Sequence, residues 1–225
     1  MSVAALIPVK GFINAKQRLA GILGARERAL LAETMFRDTL SQARQARAFD
    51  TVFVVTSSRE VAQIATALGA SVITERDEKG ETEAVAFGLA VIKAKGIQAL
   101  LVIPADIPLL RAADLESLCE QQLRAPSVLL VPSHDKMGTN ALLLSPPDVL
   151  RLRFGYDSFS YHLSEVAAKG LPLRVVENER IALDVDEPRD LERFLSTAGA
   201  GEAHSTAVKM GLAAGSYNAH RSGRL

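Results

Sequence analysis

Short, almost wholly apolar runs alternate with longer stretches whose apolar residues recur every three or four positions. Residues 3–9 (VAALIPV) read as a buried strand. Residues 26–48 carry Leu30, Leu31, Met35, Leu40 and Ala43 at helical spacing. Residues 51–56 (TVFVVT) form a second strand-like run. Ser58 is placed to cap a helix bearing Val61, Ile64, Ala65 and Leu68, and Gly69 to stop it. A third strand at 70–74, a helix over 82–95 ended by Gly96, and a fourth strand at 99–105 (ALLVIPA) follow. The last of these is the most hydrophobic. Strands covered on both sides show continuous apolar runs, so the order predicts an α/β fold with a mostly parallel sheet and helices on both faces.

Past Arg111 the order changes. A helix is expected over 114–123, strands at 127–132 and 139–145, and a helix from about Asp157. Short strands are expected at 171–177 and 181–186, and Pro188 opens a last helix, in the first turn where its missing N–H is tolerated. From Thr197 the chain is rich in Ala, Gly and Ser and shows no periodic apolar face. This predicts one domain over residues 1–196 and a mobile tail over 197–225.

A chain of 225 residues, 48% apolar, suits one domain with a sizeable core and argues against disorder. Lys plus Arg and Asp plus Glu number 26 each, so net charge favours neither nucleic acid nor an anionic membrane as the main partner. A local basic pocket for a phosphorylated small molecule stays open. Cys119, the only cysteine, reads as a small core residue and permits no intrachain disulfide. No apolar run reaches the roughly 18 residues of a membrane span. The N-terminus lacks the basic leader and cleavage site of a secretory signal. The expected location is the cytoplasm. Apolar helix faces leave a homodimer open, and would serve equally as core.

In open α/β sheets, ligands bind outside the carboxyl ends of the strands. Asp106 follows the fourth strand, flanked by Pro104 and Pro108, which restrict the backbone around it. It is either a fixed carboxylate on the functional edge or the start of a turn. In LDVDEP, alternation puts Asp184 and Asp186 on one side, where they repel unless a cation lies between them. Asp186 as a helix cap is the alternative. Mg²⁺, a hard ion held by one or two carboxylates plus phosphates, suits Asp106 with Asp184. His134, His162, His204 and His220 are scattered and make no zinc motif. After the first strand, Lys10, Lys16 and Arg18 crowd one loop, and Gly11 lets its backbone approach a ligand. Such cations bind a triphosphate and stabilise departing pyrophosphate. Neither GxxxxGK[ST] nor GxGxxG follows that strand, which removes the usual support for an ATPase or a dehydrogenase.

The segments IPVKGFINAKQRLA, VIPADIPLL, GTNALLLSPP, FGYDSFSYH and LDVDEPRDL occur in this order across residues 3–195. In them the chain resembles the guanylyltransferases of coenzyme F420 biosynthesis. The resemblance implies one GT-A-like nucleotidyltransferase domain. It also implies transfer of GMP from GTP to phosphoenolpyruvate, 2-phospho-L-lactate or 3-phospho-D-glycerate, with release of pyrophosphate. By position, Asp106, Asp184 and Asp186 resemble the Mg²⁺ ligands. Thr139, Gly155 and Ser158 resemble the pocket for the phosphorylated acid. Lys10, Gly11, Lys16 and Arg18 resemble the triphosphate loop, and Thr56 is a further nucleotide-binding candidate. Many relatives carry Gly-Leu-Asn before the third helix; here the stretch is EKGETEAVAFG. Glu83 is the candidate acceptor for guanine's N1–H and N2–H₂ donors. A cytidylyl- or molybdopterin-type nucleotidyltransferase, or a non-catalytic nucleotide-binding module, are the rival readings.

Overall fold

The structure, a computed structural model, describes residues 2–77, 79–197 and 201–212. Within them lie the strands β1 (Val3–Pro8), β2 (Thr51–Thr56), β3 (Ser71–Thr74), β4 (Ala99–Val102), β5 (Ser127–Pro132), β6 (Thr139–Ser145) and β7 (Leu173–Val175). They form one sheet in the order β3-β2-β1-β4-β6-β5-β7. β1, β2, β3 and β4 are parallel, β6 runs against both β4 and β5, and β7 is parallel to β5. The sheet is therefore mixed and mostly parallel.

The helices are α1 (Ala25–Gln45), α2 (Arg59–Ala67), α3 (Glu81–Ala94), α4 (Ala112–Glu120), α5 (Ser158–Ala168), α6 (Glu179–Ala182), α7 (Pro188–Ser196) and α8 (Glu202–Lys209). Alternation along β1 sends Ala5 and Ile7 into one apolar layer with α1, α2 and α4, and Ala4 and Leu6 into another with α3 and α5. α3 comes so close to β1 that a Cβ on Gly88 would stand 2.9 Å from a Leu6 methyl. As expected, Ser58 Oγ accepts from Val61 N–H at the start of α2, and Gly69 ends that helix at φ +79°.

A third apolar cluster joins segments far apart in sequence. Leu19 from the turn after β1 meets Leu31 and Met35 of α1, Leu183 and Val185, Phe194 of α7, and Ala203 and Ala207 of α8. This cluster places the acidic segment 184–186 beside the basic loop.

Three expectations differ from the structure. β4 ends at Val102, not at 105. Ile103 N–H still reaches Leu6 O at 3.0 Å, but Pro104 has no N–H to continue the ladder. Residues 181–186 are not a strand: Asn178 Oδ1 accepts from Arg180 and Ile181 N–H and winds residues 179–182 into α6. Val185 N–H, on Asp106 O at 3.1 Å, ties the rest of that stretch to the loop after β4. Nor is α7 the last helix, because α8 occupies part of the predicted mobile tail. Asp38 of α1 accepts from Glu202 N–H at 2.9 Å and Ala203 N–H at 2.8 Å, capping α8 from another element. Residues 198–200 and 213–225 of that tail lie outside the described residues. Among the described residues, no helix is long and apolar enough to cross a membrane.

Candidate active site

Strand order reverses direction between β1 and β4, because the chain goes from β1 to β2 on one side and reaches β4 on the other. A crevice at the carboxyl ends of two such strands is where open α/β sheets bind ligands. The loop after β1 supplies Lys10, Gly11 and Lys16, and the loop after β4 supplies Asp106.

Lys16 is held in a left-handed conformation at φ 53° and ψ 43°, uncommon for a residue with a Cβ. The turn that follows anchors Leu19, fully buried in the third apolar cluster. Its ammonium bonds Asp106 Oδ2 and, at 2.7 Å, Asp186 Oδ1. Burial opposes the Lys16 charge, but Asp106 and Asp186 outweigh it and raise its pKa above the ordinary lysine range.

Leu183 and Val185 point into the cluster, so Asp184 and Asp186 face the crevice. The alternation expected of a strand survives without one. Burial, followed by the charge of Asp106, pushes the Asp184 carboxyl up to about 6, against a hydrogen bond from Asn140 Nδ2 at 2.9 Å. Burial acts on Asp186 too, but Lys16 overrides it and lowers that pKa. Glu81, at the first turn of α3, is raised to about 7 by burial and then by Asp106, with Lys10 pulling the other way.

Two cavities adjoin here. One, of about 520 Å³, is lined by residues that include Lys10, Gly11, Phe12, Lys16, Phe36, Ser57 and Ser58. The other, of about 410 Å³, is lined by Arg18, Thr139, Gly155, Ser158 and Asp184. Glu81, Pro104, Asp106 and Asp186 line both and form the wall between them. Each volume is in the range of small-molecule sites.

Most expected site residues therefore converge, and three are placed differently. Arg18 lines the smaller cavity, against Asp186 (3.8 Å) and Glu187 (3.6 Å), whereas Lys10 and Lys16 line the larger. Glu83 is exposed and lines neither cavity, because a residue two beyond Glu81 lies on another face of α3. Thr56 is also absent from both walls. It is buried, and its Oγ1 accepts from Ser58 N–H at 3.0 Å, shaping the turn that presents Ser57 and Ser58. Glu81 and Asn140 are the residues missed. Asn140 Nδ2 donates to Ile181 O, Ala182 O and Asp184 Oδ1, fixing the acidic segment to β6. Its place beside Thr139 in GTNALLLSPP was the available signal.

The donor set fits a hard cation. It is all oxygen, and Asp106 Oδ1 is buried with no hydrogen-bond partner. Among the described residues, no three His, Cys, Asp or Glu side chains stand ready as a metal cage. Lys16 lies between two of the carboxylates, Asp106 and Asp186.

A family model described as guanylyl transferase CofC like matches residues 3–214. The chain belongs to this family. The CofC-like match extends through α8, so that helix falls within the family's domain. A phosphoenolpyruvate guanylyltransferase of Conexibacter woesei is 36% identical, the alignment covering 91% of this chain and 94% of the relative. A 3-phospho-D-glycerate guanylyltransferase of Colwellia psychrerythraea is 36% identical over 83% of this chain and 88% of its own. The structure of a nucleotidyl transferase from Methanothermobacter thermautotrophicus superposes with TM-score 0.66 and 18% identity, covering 86% of this chain and 95% of that one. The last likeness shows the GT-A-like fold and nothing finer.

Proposed function

We propose that this chain transfers GMP from GTP to the phosphate of a three-carbon phosphorylated acid, releasing pyrophosphate, in coenzyme F420 biosynthesis. The acid is drawn from phosphoenolpyruvate, 3-phospho-D-glycerate and 2-phospho-L-lactate. The observation that carries the reading is the acidic wall shared by two cavities, one with Lys10 and Lys16 in its lining and one with Thr139, Gly155 and Ser158. GTP takes the larger cavity, its phosphates against Lys10, Gly11 and Lys16. The acid takes the smaller, against Thr139, Gly155 and Ser158. Their reacting atoms then meet at Asp106.

In the reaction an acceptor phosphate oxygen bonds to the α-phosphorus, and the bond from that phosphorus to the β-phosphate bridging oxygen breaks. A phosphomonoester has a second pKa near 6, so the attacking group is already largely dianionic at neutral pH. No general base is required. The obstacle is bringing two anions together. Asp106, Asp184 and Asp186 would hold Mg²⁺, which when bound supplies positive charge at the α-phosphate. Lys16 stabilises the departing pyrophosphate as charge builds on it.

The test is incubation with Mg²⁺, each of GTP, CTP, ATP and UTP, and each acid in turn, with mass detection of products. A guanylylated acid and matching pyrophosphate are expected with GTP. Product from CTP alone would move the reading to a cytidylyltransferase. No pyrophosphate from any pair, with folded protein, would reject it.

A further inference from the structure

The start of α5 is bonded twice to one residue of β6. Thr139 N–H donates to Ser158 Oγ at 3.0 Å, and Thr139 Oγ1 lies 3.0 Å from His162 Nδ1. Ser158 and His162 are four positions apart, on one face of the helix. His162 is fully buried, with the rings of Phe154 and Tyr161 packed edge-on against it. Its other ring nitrogen, Nε2, accepts from the Arg153 backbone N–H at 3.4 Å.

These contacts decide where the protons are. A neutral imidazole has one N–H and one acceptor nitrogen. The Arg153 amide can only donate, so Nε2 is the acceptor and the proton sits on Nδ1. Burial, with the Arg153 charge added, lowers the His162 pKa to about 4, and the ring stays neutral near pH 7. Nδ1–H therefore donates to Thr139 Oγ1. A hydroxyl has one proton and two lone pairs. With a lone pair engaged by the ring, the Thr139 proton is left for the cavity that Thr139 lines. The opposite tautomer would take that proton and leave a bare oxygen facing an anion. Ser158 is set in the same sense: its oxygen accepts from Thr139 N–H, so its own proton remains available.

We propose that His162 is a positioning residue that turns the Thr139 hydroxyl into a donor toward the anionic group, phosphate or carboxylate, of the acceptor acid. This rests on the placement of that acid against Thr139, Gly155 and Ser158. It gives the Thr139 and Ser158 end of the smaller cavity hydroxyl donors whose direction is fixed from beneath.

Two measurements test it. In ¹⁵N-labelled protein at pH 7, two-bond ¹H–¹⁵N correlations should show His162 protonated at Nδ1 and bare at Nε2. An Nε2–H tautomer overturns the proposal. In kinetics, His162→Phe removes the donor, and His162→Asn returns an amide nitrogen close to the place of Nδ1. His162→Phe should raise the acceptor KM roughly tenfold, the scale of one hydrogen bond to a charged group, with the GTP KM unchanged. His162→Asn should recover most of the loss, and Thr139→Val should abolish any further effect of either change. Equal rises in both KM values, or the same effect of residue 162 with and without Thr139, overturn the proposal. If His162→Phe does not fold, the His162→Asn cycle and the tautomer measurement decide. Should Thr139→Val leave the acceptor KM unaltered while Nδ1–H is seen, the proposal falls through the placement of the acid, not through the proton arrangement.

Discussion

Lys16 Nζ stands 2.7 Å from Asp186 Oδ1, although 170 positions separate the two residues in the chain. Their meeting depends on Leu19 and Val185, which enter one apolar cluster from opposite ends of the sequence. The ammonium occupies ground that a divalent cation at these carboxylates would claim. Removing it should expose their mutual repulsion, and a cation would then relieve it. Lys16→Met is expected to melt at lower temperature in EDTA and to recover part of the loss in millimolar Mg²⁺. By calorimetry, the nucleotide-free variant should bind Mg²⁺ more tightly than the parent. Turnover should fall all the same, because pyrophosphate loses a stabilising charge. Unchanged Mg²⁺ affinity would show that Lys16 and the ion do not compete.

Asp106 is the one carboxylate with a buried oxygen lacking any partner among the described residues. Asp106→Asn keeps the shape and lowers the negative charge of the wall. Loss of one transition-state stabiliser costs about 10² to 10³ in rate, and loss of an ion ligand should exceed that. The expected result is abolished pyrophosphate release at saturating magnesium, with circular dichroism and melting close to the parent. Near-parental activity would remove Asp106 from the chemistry.

The acidic segment is also held from behind. Asp114 of α4 is almost fully buried, bonds the Arg180 guanidinium through both oxygens and accepts from Asn178 Nδ2 at 3.0 Å. Burial raises its pKa, but the hydrogen bonds from Arg180 and Asn178 prevail and lower it. Arg180→Met strands a buried carboxylate. A fully buried pair broken this way costs about 3–5 kcal/mol, and the 45% exposure of Arg180 brings the expectation nearer about 2 kcal/mol. A carboxyl with a lowered pKa contributes above its unfolded value, near 4, and loses that contribution as pH falls through the folded one. Urea titrations should therefore show a gap between variant and parent at pH 7 that narrows below pH 4. Because α6 leads directly into Asp184, the variant should also need more Mg²⁺ for half-maximal activity.

How much was legible in the sequence follows from what each feature depends on. The first three strands and the capped helix α2 rest on local apolar runs and on Ser58 and Gly69, and they appear almost where the pattern put them. The acidic and basic clusters carry their chemistry in their composition, and the crevice follows from strand order. α8 was not legible, because its buried face consists of Ala203 and Ala207. Their methyl groups gain little by burial alone and matter only because α1 lies close enough to meet them. The acceptor character that recommends Glu83 belongs equally to Glu81, and only the helix face separates the two. Asn140 was overlooked because its partners, Ile181, Ala182 and Asp184, come from a segment more than forty positions away.

The cap on α8 gives a test of that distant packing. Asp38 lies within α1, yet it accepts two of the first N–H groups of α8. Gly201 sits at φ +142°, and a Cβ there would stand 2.6 Å from Asp38 Oδ2. Loss of a helix cap costs about 1 kcal/mol. Asp38→Ala should lose about that much in denaturant unfolding, and Gly201→Ala should lose more, through backbone strain as well as the clash. Amide exchange should quicken in α8 before it quickens in the sheet. Uniform quickening would mean that α8 and the core open together.

His162 gives the fold a pH dependence of opposite origin to a salt bridge. Its ring is fully buried between Phe154 and Tyr161, bonded to Thr139 and to the Arg153 amide, and near the Arg153 guanidinium, which stacks 4.4 Å from the Tyr161 ring centroid. Burial first, and the Arg153 charge second, lower its pKa from 6.5 to about 4. The unfolded chain therefore takes up a proton near pH 6.5, while the folded chain resists until near pH 4. Between those values the unfolded state binds more protons, so stability falls as pH falls. A shift of this size corresponds to about 3 kcal/mol, all present above the unfolded value and lost across the window. Asn at this position has no such proton to take up. Denaturant titrations of the parent and of His162→Asn from pH 7.5 to pH 4 should run parallel down to about pH 6.5 and then converge. Parallel curves through the whole range would mean that the imidazole is as easily protonated in the folded protein as in the open chain.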